Sequence, residues 1–583
     1  MTMVRGLARA RGGPLSRTRV AAIATAAALA AGTAGLAVAT AGTPAKASPA
    51  AQPQTPARYQ GPRLAMIPAQ HDITIMGFPN RPGSKKVMVI MDPGVWLASL
   101  GSSFQLDASR PNYRTPVTLT QVINTPGGAR VTRPLPATML DHWNGVGGMI
   151  RITVRYAGQV VTSYRFTFCP NTFDAERATA DSPASSPYPQ GACGAFDPFP
   201  LGEVWGIARG WAVDPAENFF FRPISLLPNR TYQVTESITS RYTHWFGVAP
   251  SDSSATVNVT VTTPPGFPPP PPSPSPSPIP TITLTATASS SPTPAPTVTT
   301  SPTSPTSASP PSSGAPASAF YRLPARPRLS ARALAALPSL PAAPSMKNPP
   351  AAVLPDLTPL PAWGMNIGHT GSKKVVGHDY LNFSATVAVG GNSPLDVEAF
   401  RSDASPVMKA YQYFYRNGKV VGRAPAGTMG FDGAKGHNHW HFQQFAQYRL
   451  LSASKRLVVR SHKVGFCIAP TDAVNLLLRH ASWNPFFVGF GGQCGSPTTL
   501  WVREMMPVGW GDTYEQFLAG QAFDITNLPN GTYYVEIIAN PEHMLKETSY
   551  RNDITLRKVI LTGVKGHRHF IVPAYSGIDP EHG

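Results

Sequence analysis

The chain has 583 residues, too many for one hydrophobic core and enough for two folded units with extensions. Its 65 prolines are about twice the usual share and crowd into one stretch, which marks a linker. The formal charge of +19 is scattered and has no nucleic-acid fingerprint beside it, so it argues against a nucleic-acid partner and leaves an anionic envelope surface or plain solubility as its reason.

The first segment carries Arg5, Arg9, Arg11, Arg17 and Arg19 without an acid, then an apolar run from Val20 to Ala41, then Ala45-Lys46-Ala47 before Ser48. This is the layout of an export signal over residues 1–47. A membrane anchor is the rival reading, but a run of mostly Ala, Gly and Thr inserts weakly. No second stretch of about 18 apolar residues follows, which predicts a soluble, secreted mature protein. Four cysteines fit that oxidising destination and fall into two local pairs, Cys169 with Cys193 and Cys467 with Cys494, although four thiols allow three pairings.

Residues 58–262 make the first folded region. Its short alternating runs, such as Ile150 to Tyr156 and Thr256 to Val261, are broken by Gly, Pro and Asn and predict strands. From Thr263 to Ser318 almost every residue is Pro, Ser, Thr or Ala, and a Pro/Ala-rich piece continues to Val353, so 263–353 is expected to be a disordered, extended linker. Foldable sequence resumes at Leu354 and continues to residue 583.

Landmarks recur in one order on the two sides of the linker. Phe168-Cys169 answers to Phe466-Cys467, Cys193-Gly194 to Cys494-Gly495, Gly210-Trp211 to Gly509-Trp510, and Leu227-Pro228-Asn229-Arg230-Thr231-Tyr232 to Leu528-Pro529-Asn530-Gly531-Thr532-Tyr533. The offset stays close to 300 throughout, which predicts two copies of one all-β fold, each an antiparallel sandwich.

The second copy carries the chemistry. In His437-Asn438-His439-Trp440-His441, strand geometry puts three imidazoles on one face, and their convergence on an ion requires a bend or bulge. With 14 histidines in 583 residues, chance supplies such a triplet only about once in a hundred chains, so metal binding outweighs coincidence. Copper and zinc suit three imidazoles equally.

This stretch, followed by Phe445, Tyr448 and Leu450, resembles the copper-binding segment of the lysyl oxidase family, and two more segments match it. His462-Lys463-Val464-Gly465-Phe466-Cys467 resembles the segment of the cofactor-forming lysine, and Gly511-Asp512-Thr513-Tyr514 that of its tyrosine partner. The resemblance covers about residues 354–563 and implies a secreted, bacterial-type copper amine oxidase. Lys463 and Tyr514 are then the precursors of lysine tyrosylquinone, Cu(II) is held by His437, His439 and His441, and the substrates are O₂ with a primary amine or a lysine-containing protein. Asp512 is the candidate base, with a turn acid as its alternative.

The resemblance also implies a calcium clamp at the chain ends of that domain, from Asp356, Leu357, Glu547, Asn552 and Asp553, although Ser549 stands where an acid is expected. His567 and His569 are read as a solvated tail, with a further metal contact as the alternative. The first copy reads as degenerate: one histidine, His142, matches His439, Asn144 replaces His441, Arg165 replaces Lys463, and nothing near Asp214 answers to Tyr514. It is expected to be non-catalytic and to dock substrate or envelope. Two rivals stand beside the oxidase: a metal-holding envelope protein without turnover, and a zinc hydrolase, which would need a glutamate absent between His437 and Lys463.

Overall fold

In the computed structural model the described residues run from 61 to 581, apart from 80, 82–83, 125–128, 192, 195–196, 218–222, 265–341, 369–377, 402–404, 434–438, 462, 464 and 486–493. The expected export signal, most of the linker and His437 lie outside them.

Alternation builds the strands. In Ser254–Thr262, Val257, Val259 and Val261 are buried while Thr256, Asn258 and Thr260 point outward, as one wet face and one packed face require. Three sheets occur in each half in matching order, several of their strands buried on both faces, and the first half adds a small one of Ile224–Leu226, Val87–Val89 and Phe78–Pro79. The first sheet orders Arg63–Pro68, Val95–Leu100, Trp211–Val213 and Glu176–Arg177 in one half, and Pro355–Pro359, Tyr380–Gly391, Trp510–Tyr514 and Asp472–Ala473 in the other. The second orders Gly202–Ile207, Phe104–Ser109, Thr118–Asn124 and Arg130–Leu135, against Trp501–Met506, Leu395–Phe400, Val407–Arg416 and Lys419–Asp432. The third orders Gln159–Phe168, Val146–Tyr156, Arg230–Ile238 and Ser254–Thr262, against Leu457–Arg460, Ala446–Ser452, Gly531–Ala539 and Ile554–Val564. The fold is all-β and duplicated. One pairing departs from the antiparallel expectation: Asp72–Met76 runs parallel to Ser254–Thr262.

The halves differ where the chemistry was expected. In the second half, Lys419–Asp432 is followed by His439–Gln443, which extends the second sheet and pairs with Gly465–Phe466. In the first half, the corresponding stretch between Arg130–Leu135 and Val146–Tyr156 makes only a short 3-10 turn, Ala137–Met139, and passes through His142 at φ 49°. His142, Asn144 and Arg165 all face solvent.

Both local cysteine pairs are joined, Cys169 to Cys193 and Cys467 to Cys494. Residues 342–353, assigned to the linker by composition, are docked on the second half. Met346 N donates to Arg423 O (2.8 Å), and Val353 and Met346 pack with Phe414 and Ala424. Two apolar side chains with a groove to fill outweigh the surrounding prolines. The halves also touch each other within one unit, Arg58–Gly583: Leu201 N donates to Val474 O and Leu476 N to Gly202 O, both at 2.7 Å, and Tyr188 stacks on Trp483. Among the described residues no helix is long and apolar enough to cross a membrane.

Candidate active site

His439 and His441 alternate on one strand around Trp440, whose fully buried ring anchors the opposite face. Alternation puts the two imidazoles on the same side, and their Nε2 atoms approach to 2.9 Å with the rings at 78°. Asp432, paired with His439 in the neighbouring strand, reaches Nδ1 of His441 at 3.7 Å, the kind of carboxylate contact that orients a metal-binding imidazole. Gly465 passes directly behind His441, where a Cβ would lie 2.9 Å from the His441 Cβ. Among the described residues no group of three or more His, Cys, Asp or Glu side chains is gathered to hold a metal, and the third histidine of the motif, His437, is not one of them.

Lys463 is buried, with 8% exposure, and its Nζ lies 4.3 Å from the ring centroid of Tyr514 and 5.0 Å from that of Phe466. The Tyr514 ring is set from two sides. Its hydroxyl accepts from Cys467 N (2.7 Å) and donates to Cys467 O (3.2 Å), and Phe466 meets its face edge-on. Asp512 projects from the same face of the strand as Tyr514, is buried, and has one carboxylate oxygen without a hydrogen-bond partner.

Burial pushes the Lys463 ammonium down to about 8, against the pull of the Asp512 and Asp432 carboxylates. Burial likewise raises Asp512 well above the usual carboxylate range, with Lys463 pulling it back. It also raises the Tyr514 and Tyr448 phenols, each pushed further by Asp512. An amine, a phenol and an acid are therefore held in a dry pocket, where each disfavours charge on itself.

Several contributors escape sequence reasoning. Gly520, at φ +86°, lays its backbone against Lys463, where a Cβ would be 3.0 Å from the lysine Cβ. Ser461 accepts from Lys463 N (3.1 Å) and donates to Gly520 O (2.9 Å), tying both ends of that contact. Glu504, fully buried, accepts from Ile468 N beside the disulfide. The disulfide joins the two parts of the site, since Cys467 holds the Tyr514 hydroxyl while Cys494 O accepts from Trp440 N (2.7 Å) in the histidine strand. Asp432 alone had a legible signal, four residues upstream of Gly436-His437 at the end of an alternating run.

The expected calcium residues are also brought together, and mostly hydrogen-bond to one another. Asn552 donates to Asp356 and to Leu357 O, Glu547 accepts from Leu357 N and Asn540, and Thr548 donates to Asp356. Asp553 differs. It is 4% exposed and neither carboxylate oxygen has a hydrogen-bond partner, and the same holds for Asn552 Oδ1. Burial pushes Glu547 up to about 8 and Asp553 to about 6, and Asp356 raises both. His567 and His569 are solvated as expected, but they lie on an ordered edge strand, His567–Ile571, and not on a tail.

Residues 416–569 match the family model for lysyl oxidase. Protein-lysine 6-oxidase of Sus scrofa is 28% identical over 129 residues, 22% of this chain and 45% of that protein. The protein of the same name from Gallus gallus is 29% identical over 129 residues, 22% of this chain and 27% of that protein. Lysyl oxidase homolog 4 of Homo sapiens is 28% identical over 141 residues, 24% of this chain and 17% of that protein. The chain spans less than half the length of each of these relatives.

Proposed function

This chain belongs to the lysyl oxidase family through residues 416–569, and from that premise we propose that it is a secreted, copper-dependent oxidase of primary amines, lysine side chains of proteins among them. The reaction would take a primary amine, O₂ and water to aldehyde, ammonia and hydrogen peroxide. The observation that carries the reading is the Lys463 amine 4.3 Å from the centre of the Tyr514 ring, in a pocket with an unpaired acid oxygen.

The donor set fits the metal. Two imidazoles on one strand face, with their Nε2 atoms 2.9 Å apart and Asp432 beside His441, are donors of the type copper takes. His439, His441 and His437 would hold it. When bound, copper supplies the oxidation that joins Lys463 to Tyr514, and the resulting lysine tyrosylquinone supplies the electron sink for amine oxidation.

The chain's own residues do the rest. Cys467 and Phe466 fix the plane of the Tyr514 ring, and Gly520 and Ser461 aim the Lys463 stem across it. Asp512 is placed to take a proton from the substrate carbon, and its burial moves its proton affinity toward the working range of a base. The orphaned oxygens of Asp553 and Asn552 favour a calcium ion between Asp356, Leu357, Glu547, Asn552 and Asp553. Residues 1–47 would direct export, 58–262 would be a degenerate domain, 263–341 a linker, and 354–583, with the docked 342–353, the catalytic domain.

Peroxide release from a primary amine, together with a quinone stain on the purified chain, tests the reading. Loss of both in Lys463→Ala and in Tyr514→Phe is expected. A chain that binds copper yet neither stains nor releases peroxide would be a metal-holding envelope protein instead.

A further inference from the structure

The first half meets the second on the strands that flank the reactive one. Phe199 is fully buried against Leu360, Ala388 and Val474. Ala388 pairs with Gly511 in the sheet, and Val474 N donates to Gly509 O (2.9 Å), so one ring from the first half presses on both neighbours of the strand that carries Asp512 and Tyr514. Tyr113 and Tyr575 close edge-on around Phe199, one from each half.

Beside this ring sits Asp197, 1% exposed. Its Oδ1 accepts from Phe199 N (2.7 Å), while Oδ2 has no direct hydrogen-bond partner. The Thr386 hydroxyl and the indole N–H of Trp363 reach the same carboxyl from the second half, and that indole N–H is itself buried without a direct hydrogen bond. Thr386 and Thr513 share a hydroxyl hydrogen bond of 2.8 Å, and Thr513 N donates to Thr471 (2.7 Å). Burying a carboxyl with an unmade hydrogen bond is unfavourable, so packing alone would favour an apolar side chain here.

We infer that Asp197 and Phe199 position the strand bearing Asp512 and Tyr514, so that the first half supports the candidate site of the second. This rests on the amine oxidase reading. Asp197 is a positioning residue. It acts through Thr386 and Thr513 on the face of the strand opposite Asp512. Burial pushes its carboxyl up to about 7, opposed by Thr386 and reinforced by Asp472, which also raises Asp512. Arg110 and Tyr113 face it from its own half. As pH rises through about 7, Asp197 gains a negative charge behind the reactive strand.

The test uses the full chain as wild type, Asp197→Asn and Phe199→Ala. Amide hydrogen exchange is compared between residues 509–514 and the distant strand Gly531–Ala539, and kcat and KM for a primary amine are followed from about pH 6 to about pH 9. Exchange at 509–514 is expected to rise about tenfold in Phe199→Ala with Gly531–Ala539 unchanged. Asp197→Asn, isosteric and able to keep its contacts, is expected to remove a step in kcat near pH 7 at constant KM. Unchanged exchange together with an unchanged pH profile overturns the inference, as does equal loosening of both strands. Should Phe199→Ala not fold, Asp197→Asn decides alone. A wild type that releases no peroxide defeats the oxidase reading, while the exchange data still judge the positioning.

Discussion

At Lys463, burial and chemistry pull in one direction. A neutral amine is the form that can add to a ring, and with its proton affinity lowered to about 8 roughly a tenth of it is neutral at pH 7, against roughly one part in 3,000 for an exposed lysine. Addition of copper to the metal-free chain should therefore produce quinone absorbance at a rate that climbs about tenfold between pH 6 and pH 7 and levels off above about 8. A rate flat over that range would mean that the amine does not limit the step. Asp512 separates formation from turnover: Asp512→Asn should keep the quinone stain but lower kcat by about 10²–10⁴-fold, the usual reach of a general base. Gly520→Ala should cost about 1–2 kcal/mol from its left-handed backbone alone, and should slow quinone appearance because the new methyl displaces Lys463. Lys463, Tyr514, Asp512 and the histidines were legible because each sits in a local motif. Gly520 and Glu504 were not, since each acts on a residue 36 or more positions away, and Ser461, though only two residues from Lys463, carries no motif of its own.

Among the elements, the histidine strand shows what periodicity can and cannot reveal. Alternation placed His439 and His441 on one face of a strand, whereas the 2.9 Å approach of their ring nitrogens depends on Gly465 and Asp432 from neighbouring strands. Sheet order is illegible for the same reason: the reactive strand pairs with residues about 130 positions upstream, and nothing in a strand names its partner. The duplication was readable only because two copies could be laid side by side. The Cys467–Cys494 bridge ties these elements together, with the Tyr514 hydroxyl on one cysteine and the histidine strand on the other. Its loop of 27 residues predicts a loss of about 3–4 kcal/mol for Cys467→Ser with Cys494→Ser. Urea unfolding should register that loss. Quinone yield should fall in the same variant even under conditions where it remains folded, because ring and metal strand lose their shared anchor; full yield from a folded variant would limit the bridge to stability.

Across the whole molecule, contacts distant in sequence close the second half on itself. Its entering strand, Pro355–Pro359, is held by Glu547, Thr548 and Asn552 from near its end, and Asp553 lies buried among them with both oxygens unsatisfied. Without a cation this arrangement is unfavourable, because Asp356 raises the proton affinity of both Glu547 and Asp553, Asp553 adds to the effect on Glu547, and His543 offsets it only in part at Asp553. A hard divalent ion would relieve that repulsion and fasten both ends, which is a larger effect than any single hydrogen bond there can have. Calcium at about 100 times its dissociation constant should stabilise the chain by about 2.7 kcal/mol, or roughly 5–11 °C in Tm for a domain of this size. Chelation should reverse the gain, and Asp553→Asn should start from higher stability in chelator yet respond little to calcium, since it removes the repulsion and the ligand together. Equal responses of the variant and the wild type in a thermal melt would place any calcium elsewhere and leave the two ends joined by hydrogen bonds alone.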